Sequence, residues 1–384
     1  MVPAMKPAQY VNPRTGAAWP TDEALWRAPD DGGYLNLSAG PGLTPEDIEQ
    51  GEASLWRYAA ALRLPARPER ILGEGWTPLA DAAWDGVPVK MKSDFLMPSG
   101  SFKDRGTAVM LNYLNQVGVT RVLEDSSGNG GSSIATFGAA LGMECRILTP
   151  ASAPKPKLYQ MRAMGAEVVP VDGTRDAVAE AALREAETIF YASHNHQAYF
   201  LEGTKTLAFE LWEQLGFRAP DNIVAPLGFG SNVMGCHIGF QELLARGQIS
   251  GLPRIFGVQA ANIAPFHAAY AAGSDTPVEI APEPTMADGI ASAKPLRFNE
   301  VMAALRQTNG ACVAVGEDEI ASALRQSLHL GFFIEPTCAA AGAGLSRLIA
   351  DGTVRAGETT VLVLTGMGLK AVDKIGEVLG LEAG

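Results

Sequence analysis

From about residue 87 to the end of the chain, short apolar runs alternate with longer stretches of helical period. The short runs are rich in Val, Ile and Leu and predict strands over 87–92, 121–125, 145–148, 167–171, 223–227, 255–258 and 360–364. Between them the spacing predicts helices over about 104–117, 132–141, 155–164, 175–188, 202–215, 262–272, 317–330, 337–350 and 370–379. Strands alternating with helices specify mostly parallel open sheets flanked by helices, an α/β fold. Residues 1–50 break this rhythm, because Pro3, Pro7, Pro13, Pro20 and Pro29 interrupt any long element. Thr44-Pro45-Glu46-Asp47 reads as a cap opening a helix that runs through Tyr58.

Three glycine-rich loops follow strands: Ser126-Ser127-Gly128-Asn129-Gly130-Gly131, Gly228-Phe229-Gly230-Ser231-Asn232 and Thr365-Gly366-Met367-Gly368. In parallel sheets, ligands bind at the carboxyl ends of strands. The loop 228–232 opens a helix, so its amides and the positive helix end suit a phosphate; the alternative is a turn that holds nothing. A dinucleotide is the weaker ligand. The third glycine, Gly235, comes too late, and Gln259 stands where a ribose-binding carboxylate would be needed. Ser126, Ser127 and Gly128 form a second amide nest, suited to a carboxylate, with the Asn129 amide able to donate to a phenolic oxygen; a plain helix cap is the other reading. Thr365 could hydrogen-bond a ring nitrogen or simply end a strand. Lys103 lies in Ser99-Gly100-Ser101-Phe102-Lys103-Asp104-Arg105-Gly106, among small residues near a helix entry. By itself it reads either as a solvated surface lysine or, if buried, as a Schiff-base nucleophile.

Composition narrows the classes. With 384 residues, 47% of them hydrophobic, the chain can build two domains with real cores. The net charge of −12 disfavours nucleic acid and anionic membrane surfaces as partners. Any anionic ligand must be held locally. The 4 cysteines (Cys145, Cys236, Cys312, Cys338) show no metal-ligand spacing and read as reduced thiols of a cytoplasmic protein. No signal peptide is evident, and no run reaches the roughly 20 apolar residues of a membrane helix. His194 and His196 flank Asn195 without further ligands nearby, so no metal site is expected.

In combination and order, these motifs resemble the fold-type II pyridoxal-phosphate enzymes, the group of the tryptophan synthase β-subunit, and within it the threonine synthase family. The resemblance rests on Gly73-Glu74-Gly75-Trp76-Thr77-Pro78-Leu79, the run 99–106, Ser126-Ser127-Gly128-Asn129, Glu202-Gly203-Thr204-Lys205-Thr206, 228–232, Glu335-Pro336-Thr337 and Thr365-Gly366-Met367-Gly368-Leu369-Lys370. It implies that Lys103 carries pyridoxal 5'-phosphate as a Schiff base and acts as general acid and base. Asn129 would bond the 3-hydroxyl oxygen, Gly228, Phe229, Gly230, Ser231 and Asn232 the phosphate, and Thr365 the pyridine nitrogen. Ser126, Ser127 and Gly128 would hold the substrate carboxylate. Lys205, Arg162 and Arg105 are candidates for a substrate phosphate, although Lys205 and Arg162 also read as ordinary helix-surface charges. The resemblance further implies an N-terminal extension (1–65), a large cofactor domain (66–93 plus 206–384) and a small mobile domain (94–205) that closes over it.

The implied reaction is β/γ-elimination or replacement on an amino acid, first of all O-phosphohomoserine and water to threonine and phosphate. The rivals on the same scaffold are a threonine, serine or hydroxy-amino-acid dehydratase (ammonia-lyase) and a cysteate-synthase-like replacement. A catalytically silent metabolite-binding relative is the remote alternative. Relatives are often dimers, which leaves a homodimer open. The chain departs from the family pattern at Asp94, Met97 and Ala371. It departs again over Asn195-His196-Gln197-Ala198-Tyr199-Phe200-Leu201, where the usual arginine is absent.

Overall fold

The computed structural model describes residues 8–68, 70–151, 155–173 and 175–381; Pro3 and Pro7, read above as breakers, lie outside them. The chain divides into two compact units, Met1–Gly75 with Lys103–Thr206 and Trp76–Phe102 with Leu207–Gly384.

In the first unit a four-stranded sheet runs in the order Glu167–Val171, Glu144–Pro150, Arg121–Glu124, Phe190–Tyr191. Every pairing is parallel. Helices Lys103–Gln116, Asn129–Leu141 and Ala198–Thr204 pack into one apolar cluster on it, which includes Val109, Leu111, Ile134, Phe137, Ile147 and Phe200. The proline-rich N-terminal stretch is more ordered than its composition suggests. Gln9–Val11 pairs antiparallel with both Ala18–Pro20 and Asn36–Leu37. Tyr10 anchors this small sheet, its hydroxyl donating to that of Tyr113 at 2.8 Å, while the Tyr113 and Tyr199 rings stack at 3.6 Å.

The second unit holds a six-stranded sheet, in the order Ala311–Val315, Arg254–Ala260, Asn222–Pro226, Thr360–Val363, Val87–Lys92, Leu79–Trp84. The pairings are parallel except the last, a hairpin. Asp85 and Gly86 turn that hairpin, both at positive φ (48° and 79°), which matches the twist of the flanking strands. The central strands Asn222–Pro226 and Thr360–Val363 are buried throughout, as parallel strands covered on both faces must be. Lys92 is fully buried against Glu210 and also donates to Thr77 O (2.6 Å) and Gln214 Oε1 (2.8 Å). Glu210 in turn accepts from the Trp76 and Thr77 amides at 2.8 and 2.7 Å. Thr77 completes the network by donating from its hydroxyl to Asp94 at 2.7 Å. Asp94, off the family pattern, is thus a buried partner of the Trp-Thr-Pro segment. Among the described residues no helix is long and apolar enough to cross a membrane.

Two expected helices are corrected. The one expected through Tyr58 is a pair of short 3-10 turns, Pro45–Asp47 and Leu55–Ala61. Between them Ile48 is extended, and the Leu55 amide donates to Glu74 O instead of continuing a helix. The helix expected over 202–215 is two, Ala198–Thr204 and Thr206–Gln214. At the junction the Thr204 hydroxyl donates to Phe200 O and that of Thr206 to Gly203 O, a competition with backbone bonding that bends helices.

Candidate active site

The segment before Lys103 is held like a strand. Phe102 N donates to Thr365 O at 2.9 Å, Met367 N to Gly100 O at 3.0 Å, and the buried Lys370 ammonium to Ser99 O at 2.8 Å. Motifs 99–102 and 365–370 therefore brace each other, and the next residue along the chain is Lys103. Lys103 opens helix Lys103–Gln116 and is half-buried, its Nζ 5.5 Å from the centre of the Phe200 ring. Glycine makes this approach feasible. A Cβ at Gly106 would sit 2.5–2.6 Å from the Phe200 ring, and one at Gly203 would overlap Arg105 O. The two helices cross at these glycines. The Ser133 hydroxyl then ties in a third helix by donating to the buried Asp104 carboxylate at 2.6 Å.

The 126–130 loop leaves the end of strand Arg121–Glu124 and enters helix Asn129–Leu141. Ser126, Ser127, Gly128 and Asn129 are all partly open to solvent, so a ligand can reach them. Gly128 N donates to Ser126 Oγ at 3.3 Å, and no side chain caps the helix. The buried Ser132 hydroxyl has no hydrogen-bond partner among the described residues. An uncapped helix end with an unsatisfied hydroxyl in its first turn suits an incoming carboxylate.

Behind this loop lie groups that the sequence motifs do not single out. Glu124 is fully buried, with Oε1 3.3 Å from His194 Nδ1, and Arg175 binds Asp125 at 2.7 Å. Burial pushes the Glu124 carboxyl up to about 7 and holds His194 well below its ordinary value; the Lys103 charge also lowers His194. Sequence reasoning considered His194 only as a metal ligand. Among the described residues no cluster of three His, Cys, Asp or Glu could hold a metal ion.

In the second unit, loop 228–232 joins strand Asn222–Pro226 to the 15-residue helix Ser231–Ala245. Gly230 is its N-cap at φ 93°, and no side chain caps the helix. A Cβ at Gly230 would overlap a methyl of the buried Val301. A Cβ at Gly228 would press on Ile290 Cα at 3.1 Å and Gly289 O at 3.2 Å. That turn is held by Thr337, whose hydroxyl accepts from Gly289 N at 2.9 Å, which gives the Glu335-Pro336-Thr337 motif a supporting task. The buried Asn232 Oδ1 has no partner among the described residues. Bare helix amides, a glycine-only turn and an unsatisfied amide side chain fit the phosphate of pyridoxal phosphate. Thr365 is buried and its N–H donates to Cys338 Sγ at 3.1 Å; burial pushes the Cys338 thiol up to about 12.

The three candidate phosphate cations occupy different environments. Lys205 is fully buried, 3.0 Å from Glu202 and donating to Ala61 O at 3.1 Å. Arg63 meets the same carboxylate at 2.9 Å. Burial alone would raise Glu202, but the two cations hold it down at about 2. Arg105 is fully buried with Nη1 3.4 Å from the Thr206 hydroxyl, and Arg162 is exposed to solvent. Lys205 is thus buried in an ion pair, and Arg162 lies at the surface.

The family model described as pyridoxal-phosphate dependent enzyme matches residues 71–366. The chain belongs to that family and is a pyridoxal-phosphate-dependent enzyme of fold type II. Its curated relatives include threonine synthases. That of Methanosarcina acetivorans is 32% identical over 368 residues, covering 92% of this chain and 90% of its own. That of Methanocaldococcus jannaschii is 30% identical, covering 94% and 92%. That of Mycobacterium tuberculosis is 35% identical over 308 residues, covering 78% and 83%. Among solved structures, the processed form of threonine deaminase isoform 2 from Solanum lycopersicum aligns with a TM-score of 0.68 at 23% identity, covering 80% of this chain and 88% of that one. An L-serine ammonia-lyase from Rhizomucor miehei gives 0.69 at 21%, covering 79% and 97%. The two structures share the fold.

Proposed function

We propose that the chain is a threonine synthase, converting O-phosphohomoserine and water to threonine and phosphate. The observation that carries this reading is similarity to threonine synthases over nine-tenths of both chains. In it Lys103 is the cofactor lysine, Asn129 the partner of the cofactor's 3-hydroxyl oxygen, and Thr365 the group facing its ring nitrogen. Residues 228–232 hold the cofactor phosphate. Bound pyridoxal phosphate supplies an electron-withdrawing ring that stabilises negative charge at the substrate's α-carbon. The amides of Ser126, Ser127 and Gly128 orient the substrate carboxylate. Lys103 Nζ takes and returns the protons at the substrate carbons, a general acid–base task suited to a half-buried amine. Phe200, packed beside it, keeps water from that face.

A dehydratase acting on an unphosphorylated hydroxy amino acid is the second reading. What favours it is the placement of the candidate cations: Lys205 is committed to Glu202, and Arg162 faces solvent. The deciding experiment sets phosphate release from O-phosphohomoserine beside 2-oxo acid formation from threonine, serine and hydroxyaspartate. Phosphate release with threonine as product supports the first reading. Oxo-acid formation alone replaces it with the second.

A further inference from the structure

Within its own unit, Lys103 shares a wall with a buried acid–imidazole pair that none of the roles above uses. Glu124 Oε1 accepts from Asp125 N at 3.2 Å and lies 3.3 Å from His194 Nδ1, and Oε2 accepts from His194 N at 3.4 Å. Backbone and side chain of His194 are thus both fixed by one carboxyl group. The imidazole packs on the first turn of helix Asn129–Leu141. A Cβ at Gly130 would stand 3.0 Å from His194 Cε1 and Nδ1 and 2.9 Å from Ser126 Oγ. Any side chain there would push the ring off the 126–130 loop. On its other side the ring is 5.5 Å from the centre of Phe200, and Phe200 is 5.5 Å from Lys103 Nζ.

We propose that Glu124 and His194 are a positioning pair for the amino-acid site: one proton between them sets which His194 nitrogen donates and whether Lys103 faces a negative charge. This rests on Lys103 being the cofactor lysine. The Nδ1···Oε1 contact holds a single proton. With Glu124 ionised, the imidazole N–H at Nδ1 donates to the carboxylate and Nε2 is an acceptor. With Glu124 protonated, its O–H donates to Nδ1 and the imidazole proton sits on Nε2, which becomes a donor. The imidazole is neutral in both states. The charged and titratable groups around the pair are Lys103 from helix Lys103–Gln116, Arg175 from helix Arg175–Glu185, Asp125 beyond strand Arg121–Glu124, and Tyr191 from strand Phe190–Tyr191. Arg175 already balances Asp125. Asp104, next to Lys103, is tied to the Ser133 hydroxyl at 2.6 Å, and Glu124 is a second buried acid whose proton can change the field at Lys103. Burial holds it near 7, so the change falls in the neutral range.

Two measurements on the holoenzyme test this. The first is the pH midpoint of its visible absorbance, which reports the proton on the Lys103 nitrogen. Glu124→Gln removes a nearby negative charge without changing shape, and the midpoint is expected to fall by on the order of one pH unit. Glu124→Asp should restore part of the shift. The second needs no variant of Glu124. Nitrogen-15 imidazole spectra, with His194→Gln assigning one of the 5 histidines, should show His194 exchanging tautomers with a midpoint near 7 and never becoming imidazolium. An unmoved absorbance midpoint in Glu124→Gln, or a His194 that protonates like a free imidazole, overturns the pair. Borohydride reduction followed by peptide mapping separates this from the lysine assignment. A label missing from Lys103 sinks that assignment, whereas an unmoved midpoint with the label in place sinks the pair alone.

Discussion

Gly230→Ala perturbs loop 228–232, proposed to hold the cofactor phosphate, at the residue on which its geometry depends. Two costs arise. An L-residue in the left-handed region at φ 93° costs about 1–2 kcal/mol. The new Cβ also overlaps the buried Val301 side chain, and overpacking of that kind costs about 1–3 kcal/mol. The loop can escape both by shifting, but the shift moves the amides proposed to meet the phosphate. If the strain falls on the loaded conformation, pyridoxal phosphate affinity drops by roughly 30-fold or more, since about 1.4 kcal/mol is tenfold. Fluorescence titration of the apoprotein with the cofactor measures this directly. A cycle with Val301→Ala separates the terms. In that background the clash is gone, and Gly230→Ala should cost only the strain, about 5- to 30-fold. Equal losses in both backgrounds would show that Val301 is not what enforces glycine here. Unchanged affinity in Gly230→Ala would refute the assignment of loop 228–232 to the phosphate.

Lys103→Ala should abolish borohydride-fixed label and lower turnover by about 10²–10⁴-fold, with assay and mapping done on the same preparation. Glu202→Gln leaves the Lys205 and Arg63 charges buried without their counter-ion and should destabilise the first unit by about 3–5 kcal/mol, read by urea denaturation at pH 7. The wild-type carboxylate carries a matching acid dependence. Its folded value, about 2, lies below the ordinary 4.5, so its stabilisation is fully present above pH 4.5 and is lost as pH falls toward 2. An acid-unfolding curve equally steep in Glu202→Gln would refute that linkage. Gly203→Ala should cost about 1–3 kcal/mol from overlap with Arg105 O, less up to about 1 kcal/mol of helix propensity, by the same denaturation assay.

Much of the fold was legible because its central strands are buried on both faces and its helices are long. Runs such as Asn222–Pro226 and Thr360–Val363 stand out as apolar blocks. Helix Phe298–Gln307 was missed although it buries Phe298, Val301, Met302 and Leu305 at helical spacing, so the signal was there to be read. The N-terminal sheet carried no comparable signal. Its strands have two or three residues each, and Tyr10 is held by Tyr113, 103 positions away. The loops proposed to hold the cofactor stand out for a related reason, since each is a local run of amides and glycines. The burial of Lys205 against Glu202 was not legible, because burial cannot be read from a motif.

The two kinds of buried acid around the motifs show why charge alone cannot mark the site. Glu202 and Glu124 are both buried carboxyls in the first unit. Glu202 meets two cations within 3.0 Å, stays ionised, and locks Arg63 and Lys205 in place. Glu124 meets a neutral imidazole and two backbone amides, and burial carries it to about 7. The first environment is built to resist a change of proton and the second to permit one. Each acid has a glycine nearby: Gly203 follows Glu202 directly, and Gly130 packs against His194, the partner of Glu124. In the first case the glycine admits a helix backbone, and in the second it admits an imidazole onto the edge of the 126–130 loop. Gly203 lies within motif 202–206 and Gly130 directly after motif 126–129, but only Gly130 brings an imidazole against the loop proposed to hold the substrate carboxylate.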